Sequence, residues 1–249
     1  MHRFSNRPPR SQRVYRVTIG AACYKRIVFA DSHHAATVAA RLQTFASERI
    51  YPGLLLERER ELWVEYVDGA PVRRVDDALI DSLAVLLCVL MKRAPRRVPL
   101  RETPWLANLE LDLAFLARVG VLADAAAHRL AAVARERAPA AVWVGYDCSD
   151  AILKNFVWAE SGGLRAVDVE SLGANVLLGS GAAKASVRWL GERRDDFLTR
   201  MKELGAPDFE SYFDFVELSF RAFWQKSSFL EKKRRFVDPK IFAPFLGAR

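Results

Sequence analysis

The stretch Ser149-Asp-Ala-Ile-Leu-Lys-Asn155-Phe-Val-Trp158 places the carboxylate of Asp150 five positions before the amide of Asn155. A second carboxylate, Asp168, follows after two short apolar segments joined by a glycine turn, in Ala166-Val-Asp168-Val-Glu170. One carboxylate in this order can receive a proton from an attacking hydroxyl, whereas an amide oxygen and a second carboxylate suit a hard cation such as Mg2+. Phosphoryl transfer requires this division of roles, because it depends on positioning and charge neutralisation more than on covalent chemistry. The pattern therefore predicts phosphoryl-transfer chemistry.

Length and composition are those of a soluble protein large enough for one big domain or two lobes. The chain has 249 residues, of which 51% are hydrophobic and 27% charged, values typical of globular domains. Its longest apolar run, residues 83–91, is too short to cross a bilayer, which takes roughly 20 residues. The N-terminus is basic and has no apolar segment, so we predict no secretory signal.

The three cysteines, Cys23, Cys88 and Cys148, are odd in number and unclustered. This usage predicts reduced thiols in a cytoplasmic protein rather than a disulfide framework or a zinc site. A small buried hydrophobic residue is the usual state of such a cysteine, and we expect it for Cys148.

The net charge of +8 is concentrated at the two ends of the chain. Residues 1–16 contain five Arg and no acidic residue, and residues 221–249 contain eight Lys or Arg against two acidic residues. This favours anionic partners, although a solvated charged face explains it equally well. The run 223–236 interleaves aromatics with cations, which is typical either of helix packing or of a peripheral surface for an anionic membrane or glycolipid at the inner face of the membrane. The same cations could contact nucleic-acid phosphates, which require only Lys and Arg, but no nucleic-acid-binding motif accompanies them, so nucleic acid is the less favoured partner.

Periodicity and turn residues predict a strand-rich segment followed by a mainly helical one. We expect residues 1–12 to form a disordered basic arm. The predicted strands are residues 14–19, 23–29, 54–57, 62–67, 141–144, 156–158 and 164–169. The predicted helices are residues 33–48, capped by Asp31-Ser32, then 76–92, 109–117, 123–137 and most of the chain after 183.

The central motif resembles that of the aminoglycoside phosphotransferase/choline kinase family, the small-molecule branch of the protein-kinase-like fold, to which bacterial lipopolysaccharide-core sugar kinases are related. The family pattern His-Gly-Asp-x4-Asn reads Cys148-Ser149-Asp150-x4-Asn155 here, and its Ile-Asp-Phe/Trp-Glu element reads Val167-Asp168-Val169-Glu170. The likeness covers roughly residues 14–180. It implies an α+β, two-lobed protein-kinase-like fold, with a small β-rich N-lobe at 13–70 and a larger helical C-lobe at 71–249 that contains the catalytic hairpin.

The resemblance also implies roles for individual residues. Asp150 would be the catalytic base, Asn155 and Asp168 would bind Mg2+, and ATP would be the phosphate donor. Lys25 or Arg26, on the second predicted strand, would contact the phosphates, and strand alternation allows only one of them to do so. We favour Lys25.

Glu65-Tyr-Val-Asp-Gly-Ala-Pro71 resembles the family's linker, where adenine meets backbone groups, so Glu65 and Val67 are predicted to bind the nucleotide. The chain also departs from the family pattern. Cys148 replaces the motif histidine, no glycine-rich loop precedes Val14, and the helix at 33–48 has no glutamate in its middle to pair with a strand lysine.

These observations lead to two functional hypotheses. The first is an ATP-dependent phosphotransferase acting on a hydroxyl of a small molecule or glycan, such as a lipopolysaccharide-core sugar. Ile152, two residues after Asp150, stands where protein kinases carry a lysine, which favours a small-molecule acceptor, and the basic charge suits an anionic one. The alternative is a catalytically degenerate kinase-fold binding or adaptor module with a basic surface facing a membrane or glycolipid. We expect the acceptor site in the helical part after residue 180.

Overall fold

The computed structural model describes residues 12–233 and 236–247. The chain divides into two compact units, one formed by residues 1–86 with 152–172 and the other by residues 87–151 with 173–249. The segment 152–172, which carries Asn155 and Asp168, therefore belongs by its contacts to the unit of the N-terminal strands. The predicted disordered arm lies outside the described residues except for Gln12.

The first unit contains a four-stranded antiparallel sheet in the order β1-β2-β4-β3. Its strands are β1 Gln12–Ile19, β2 Ala22–Phe29, β3 Leu54–Arg58 and β4 Glu61–Glu65. Because side chains alternate along a strand, one face of β2 buries Ile27 and Phe29, and one face of β4 buries Leu62 and Val64. The first hairpin and the second strand pair agree with the predictions.

Helix α1, Ser32–Thr44, packs against this sheet within the first unit. The Asp31 side chain caps it, since its Oδ1 accepts a hydrogen bond of 2.7 Å from the backbone N–H of His34. Such a cap satisfies one of the N–H groups that have no partner inside the helix. The apolar face of the helix buries Val38 and Leu42.

A second, three-stranded sheet in the same unit has the order β5-β8-β9. Its strands are β5 Gly69–Pro71, β8 Phe156–Ala159 and β9 Leu164–Ala166. The turn between β8 and β9 needs glycine, because Gly162 and Gly163 have φ values of +94° and +83°. Gly69 is required for a different reason: a Cβ there would lie 2.2 Å from the carbonyl oxygen of Trp158.

The second unit combines a three-stranded sheet, in the order β10-β7-β6, with most of the helices. The strands are β6 Arg96–Pro99, β7 Ala141–Cys148 and β10 Leu172–Leu177. The helices are α3 Trp105–Arg118, α4 Asp124–Glu136, α5 Ser180–Ala185, α6 Arg194–Glu203, α7 Phe213–Leu230 and α8 Ala243–Leu246. Helix α3 packs on α4 and α7, and α5 packs on α7. The remaining helix, α2 Asp77–Met91, contains the point at which the chain passes from one unit to the other.

The predicted helices and strands are present in the described residues, with bounds that differ by a few positions, but three further strands, β5, β6 and β10, escaped the sequence patterns. The segment 68–71 illustrates why. It reads as a turn because of its Gly and Pro, yet its three last residues pair with β8 at the edge of a sheet, a position where Pro is tolerated. Within the described residues, no helix combines the length and hydropathy needed to span a bilayer.

Candidate active site

Lys25 lies among acidic groups of the first unit. Its Nζ donates a 2.6 Å hydrogen bond to the backbone carbonyl of Val167. Burial lowers the pKa of Lys25, and the negative charges of Asp168 and Glu170 oppose that shift. Burial raises the pKa of Glu170 to about 7; the charge of Asp168 adds to the rise and that of Lys25 counters it. The lysine and two carboxylates thus form one electrostatic cluster, even though α1 supplies no central glutamate.

Arg26 points to the opposite face of β2. Its Nε donates a 2.9 Å hydrogen bond to Glu61, and its guanidinium lies over the rings of Tyr15 and Trp63, 5.7 and 5.8 Å from their centroids. Strand alternation separates it from its neighbour Lys25. Of the two cations, the structure brings Lys25 next to Asp168.

Asn155 and Asp168 are neighbours in the first unit. The Asn155 Nδ2 lies 3.5 Å from the Asp168 Oδ2, and the other Asp168 oxygen accepts a 3.3 Å hydrogen bond from the backbone N–H of Glu170. Among the described residues, no group of three or more His, Cys, Asp or Glu side chains is arranged to hold a metal. One carboxylate and one amide oxygen nevertheless fit Mg2+, which takes few protein ligands and keeps waters or phosphate oxygens as the others.

A cavity of about 270 Å³ opens in the first unit beside this cluster. It is mostly apolar, which suits a flat heterocycle, and Lys25 supplies a cation at its wall. The residues lining it are Val14, Tyr15, Arg16, Lys25, Pro52, Glu65, Tyr66, Val67, Val157 and Val167. Three of the predicted nucleotide-binding residues, Lys25, Glu65 and Val67, therefore line a single cavity.

The Glu65 side chain is held by Arg165, from which its two carboxylate oxygens accept hydrogen bonds of 2.8 and 2.7 Å. Gly53 donates a further backbone bond of 3.1 Å. The hydrogen bond from Arg165 is the main reason that the pKa of Glu65 is lowered. Glu65 therefore offers the cavity no free charge, and its backbone N–H is bound as well, to the carbonyl of Gly53 at 2.9 Å.

In the second unit, Asp150 follows β7 and forms an ion pair with Lys184 of α5. Both side chains are partly buried, with 33% and 21% of their surface exposed. The adjoining backbone is held as well, since the Trp189 indole donates a 2.9 Å hydrogen bond to the carbonyl of Ala151. The predicted catalytic carboxylate is thus fixed by a cation that the sequence patterns did not single out.

Asp147, three residues earlier, is completely buried. Its carboxylate accepts backbone hydrogen bonds from Cys148 at 2.7 Å, Gly179 at 3.0 Å and Gly181 at 3.2 Å. Burial raises the pKa of Asp147 to about 6, and these N–H groups oppose the rise. Asp147 therefore ties the start of α5, the helix that carries Lys184, to the end of β7.

A cavity of about 380 Å³ lies in the second unit, within the range of small-molecule sites. Aromatic and aliphatic residues form half of its lining, and polar or charged residues form the other half. The lining residues are Trp105, Asn108, Leu109, Asp112, Ser149, Asn175, Val176, Leu177, Ser180, Lys184, Val216, Ser219, Phe220 and Phe223. These residues lie both before and after position 180 in the sequence, whereas the acceptor site was predicted only in the helical part after residue 180.

The aromatic and basic residues near the C-terminus have mixed environments. The Arg188 guanidinium stacks over Trp224 at 4.4 Å and over Phe236 at 5.4 Å, so this part of the segment is engaged in packing. Phe223 and Leu230 are exposed, at 58% and 57%. Membrane or glycolipid contact stays a prediction.

Sequence reasoning missed Lys184, Asp147 and Arg165. Each acts through a partner distant in sequence or through backbone groups, so no local spacing marks it. Only the proximity of Asp147 to the motif could have drawn attention to it. The prediction that Cys148 is a small buried residue agrees with the structure.

Comparison with known proteins gives a likeness in fold. No protein-family model and no curated protein sequence matches the chain. Among solved structures, choline kinase LicA from Streptococcus pneumoniae is similar with a TM-score of 0.65 at 12% identity, covering 94% of this chain and 88% of that one. The chain has the protein-kinase-like fold.

Two further structures support this assignment. Macrolide 2'-phosphotransferase MphH from Brachybacterium faecium has a TM-score of 0.61 at 14% identity, covering 95% of this chain and 88% of that one. Aminoglycoside phosphotransferase APH(4)-Ia has a TM-score of 0.65 at 12% identity, covering 98% and 92%. Since the likeness spans nearly the whole of each chain, the predicted α+β fold of this kind is confirmed.

Proposed function

We propose that the chain is an ATP-dependent phosphotransferase that phosphorylates a hydroxyl of a small molecule or glycan. The observation that carries the proposal is the grouping of Lys25, Asn155 and Asp168 in one unit, where Lys25 lines an apolar cavity. A fold shared with choline, macrolide and aminoglycoside phosphotransferases supports it.

In this proposal the cavity of the first unit receives ATP. The aliphatic and aromatic residues beside Tyr66 and Val67 contact the base, the main chain around Glu65 supplies its polar partners, and Lys25 neutralises phosphate charge. Asn155 and Asp168 would hold Mg2+, which supplies charge neutralisation at the phosphates when it is bound.

Asp150 accepts the hydrogen bond of the acceptor hydroxyl, orients that oxygen and takes its proton as the bond to the γ-phosphorus forms. The bond between that phosphorus and the bridging oxygen breaks at the same time, and ADP leaves with the oxygen. The aromatic cavity of the second unit receives the acceptor. A lipopolysaccharide-core sugar is one acceptor of this kind. The comparison structures act on choline, macrolides and aminoglycosides, and the present chain is proposed to share with them the transfer to a small hydroxylated molecule.

A second candidate is a catalytically weak kinase-fold binding module. The β1–β2 connection favours it, since only Gly20 and Ala21 separate the strands and a glycine-rich cover for the phosphates is missing there. Asp150→Asn separates the two candidates. In a phosphotransferase this substitution should lower turnover by about 100-fold or more and leave nucleotide binding intact. In a binding module it should leave the binding of the partner unchanged.

The test is thermal stability with and without Mg-ATP, measured on wild type, on Asp168→Ala and on a control, Glu160→Ala, in the exposed β8–β9 turn. Ligand at a hundred times its dissociation constant adds about 2.7 kcal/mol, equivalent to several degrees in a protein of this size. We expect a shift that requires Mg2+ and Asp168 but not Glu160. No shift at millimolar nucleotide would exclude the ATP-dependent enzyme.

A further inference from the structure

Lys184 has a position that the proposed reaction does not by itself require. It lines the cavity of the second unit, forms an ion pair with Asp150, and lies with its Nζ 5.9 Å from the centroid of the Phe220 ring. Its side chain is only 21% exposed, so its charge is poorly screened by water. A positive charge therefore stands at the wall of the cavity, in contact with the residue proposed to orient the acceptor.

The acidic residue in the lining of this cavity, Asp112 of α3, already has a protein partner. Lys226 of α7 donates a 2.5 Å hydrogen bond to its carboxylate, and Asp112 itself is only 6% exposed. An ammonium-bearing ligand normally binds to carboxylates or to the faces of aromatic rings. Of the groups that line this cavity, the Asp112 carboxylate is bound by Lys226, which lies outside the lining, and the Phe220 ring already faces the Lys184 ammonium.

We propose that Lys184 makes the site selective for acceptors that carry a negative charge near the reacting hydroxyl, such as an acidic sugar or a sugar phosphate, and against acceptors that carry an ammonium group. This inference rests on the proposed phosphotransferase function and assigns its substrate class. An anionic group can take a second hydrogen bond from the Lys184 ammonium, whereas an ammonium group next to it meets a like charge in a poorly screened place. The aromatic wall formed by Trp105 and Phe220 then packs against the apolar face of the acceptor ring.

The experiment compares kcat/KM, from ADP release, for two matched series that differ in charge. The first is glucosamine, glucose and glucuronic acid; the second is choline, dimethylbutanol and hydroxyethylphosphonate. For wild type we expect the anionic member to exceed the cationic one by about 10- to 100-fold, the effect of one hydrogen bond to a charged group. In Lys184→Met that ratio should fall to about 1, and Lys184→Arg should restore most of it.

Lys202→Met is the control, because Lys202 belongs to the same unit, pairs with Glu210 and is 76% exposed; it should leave the ratio unchanged. A loss of turnover in Lys184→Met that is uniform across the series would indicate a role in holding Asp150 only, and would overturn the selectivity. Equal or greater use of the cationic members by wild type would overturn it too, while leaving the phosphotransferase intact. If no member of either series is phosphorylated and Mg-ATP does not stabilise the protein, then the proposed function and the proposed selectivity are both wrong. Failure of every member despite Mg-ATP binding overturns the substrate class alone.

Discussion

Replacing Asp147 by Asn should change how the stability of the protein depends on pH. The carboxyl is wholly buried, and its pKa is raised from 3.8 to about 6. The native state therefore binds this proton more tightly than the unfolded chain does. The resulting stabilisation is fully present below pH 3.8 and is lost as the pH rises through about 6.

The magnitude follows from the difference between the two pKa values, which is about 2 units. At about 1.36 kcal/mol per unit, the proton contributes about 3 kcal/mol in total, and about half of that lies between pH 5 and pH 8. Burial also raises the pKa of the neighbouring Tyr212, and the Asp147 charge adds to that rise, so Tyr212 stays neutral throughout this range. Asp147→Asn removes the titration and keeps the side-chain volume.

The assay is the melting temperature of wild type and Asp147→Asn at pH 5 and pH 8. The melting temperature of wild type minus that of the variant should be about 3–6 °C lower at pH 8 than at pH 5. Asp124→Asn, an exposed carboxylate in the first turn of α4, is the control and should show no such difference. A wild-type-minus-variant difference that is equal at both pH values, or that favours wild type at pH 8, would refute the reasoning.

Three further predictions concern packing, an ion pair and thiol reactivity. Gly181→Ala should destabilise the protein by about 1–3 kcal/mol, because the new Cβ would lie 2.5 Å from the carbonyl oxygen of Cys148. An unchanged melting temperature in calorimetry would contradict this prediction and would mean that the backbone relaxes at no cost. Arg165→Met should lower the melting temperature by a few degrees. It should also raise the pKa of Glu65, because the hydrogen bonds from Arg165 are the main reason that this pKa is low. An NMR titration in which the pKa of the Glu65 carboxyl is the same in variant and wild type would contradict this. Cys23 should react with iodoacetamide before the other two cysteines, because its hydrogen bond from Arg16 lowers its pKa. Mass spectrometry of the native protein would contradict this if the buried Cys88 or Cys148 were modified as fast as Cys23.

The elements that could be predicted from sequence are those whose evidence is local. Alternation along β1 and β2, the Asp31 cap of α1 and the periodic apolar faces of α2, α3 and α4 each depend on residues a few positions apart. The spacing of Asp150, Asn155 and Asp168 is local in the same sense, and it carried the family resemblance that implied the kinase-like fold. The strand periodicity left both Lys25 and Arg26 as candidates for the phosphate contact, and only the folded sheet placed one of them beside Asp168.

Sequence alone therefore determined most of the element types, because helix periodicity, strand alternation and turn chemistry depend on neighbours along the chain. The resemblance of the motif implied the fold class, and the roles of the motif residues stay predictions. The tertiary structure decided which distant groups meet. Lys184 pairs with a carboxylate 34 positions away, and Arg165 with one 100 positions away. The strands β5, β6 and β10 likewise pair with partners remote in sequence. Such contacts depend on the path of the whole chain, and the energy of each is gained only after the elements that carry it have packed.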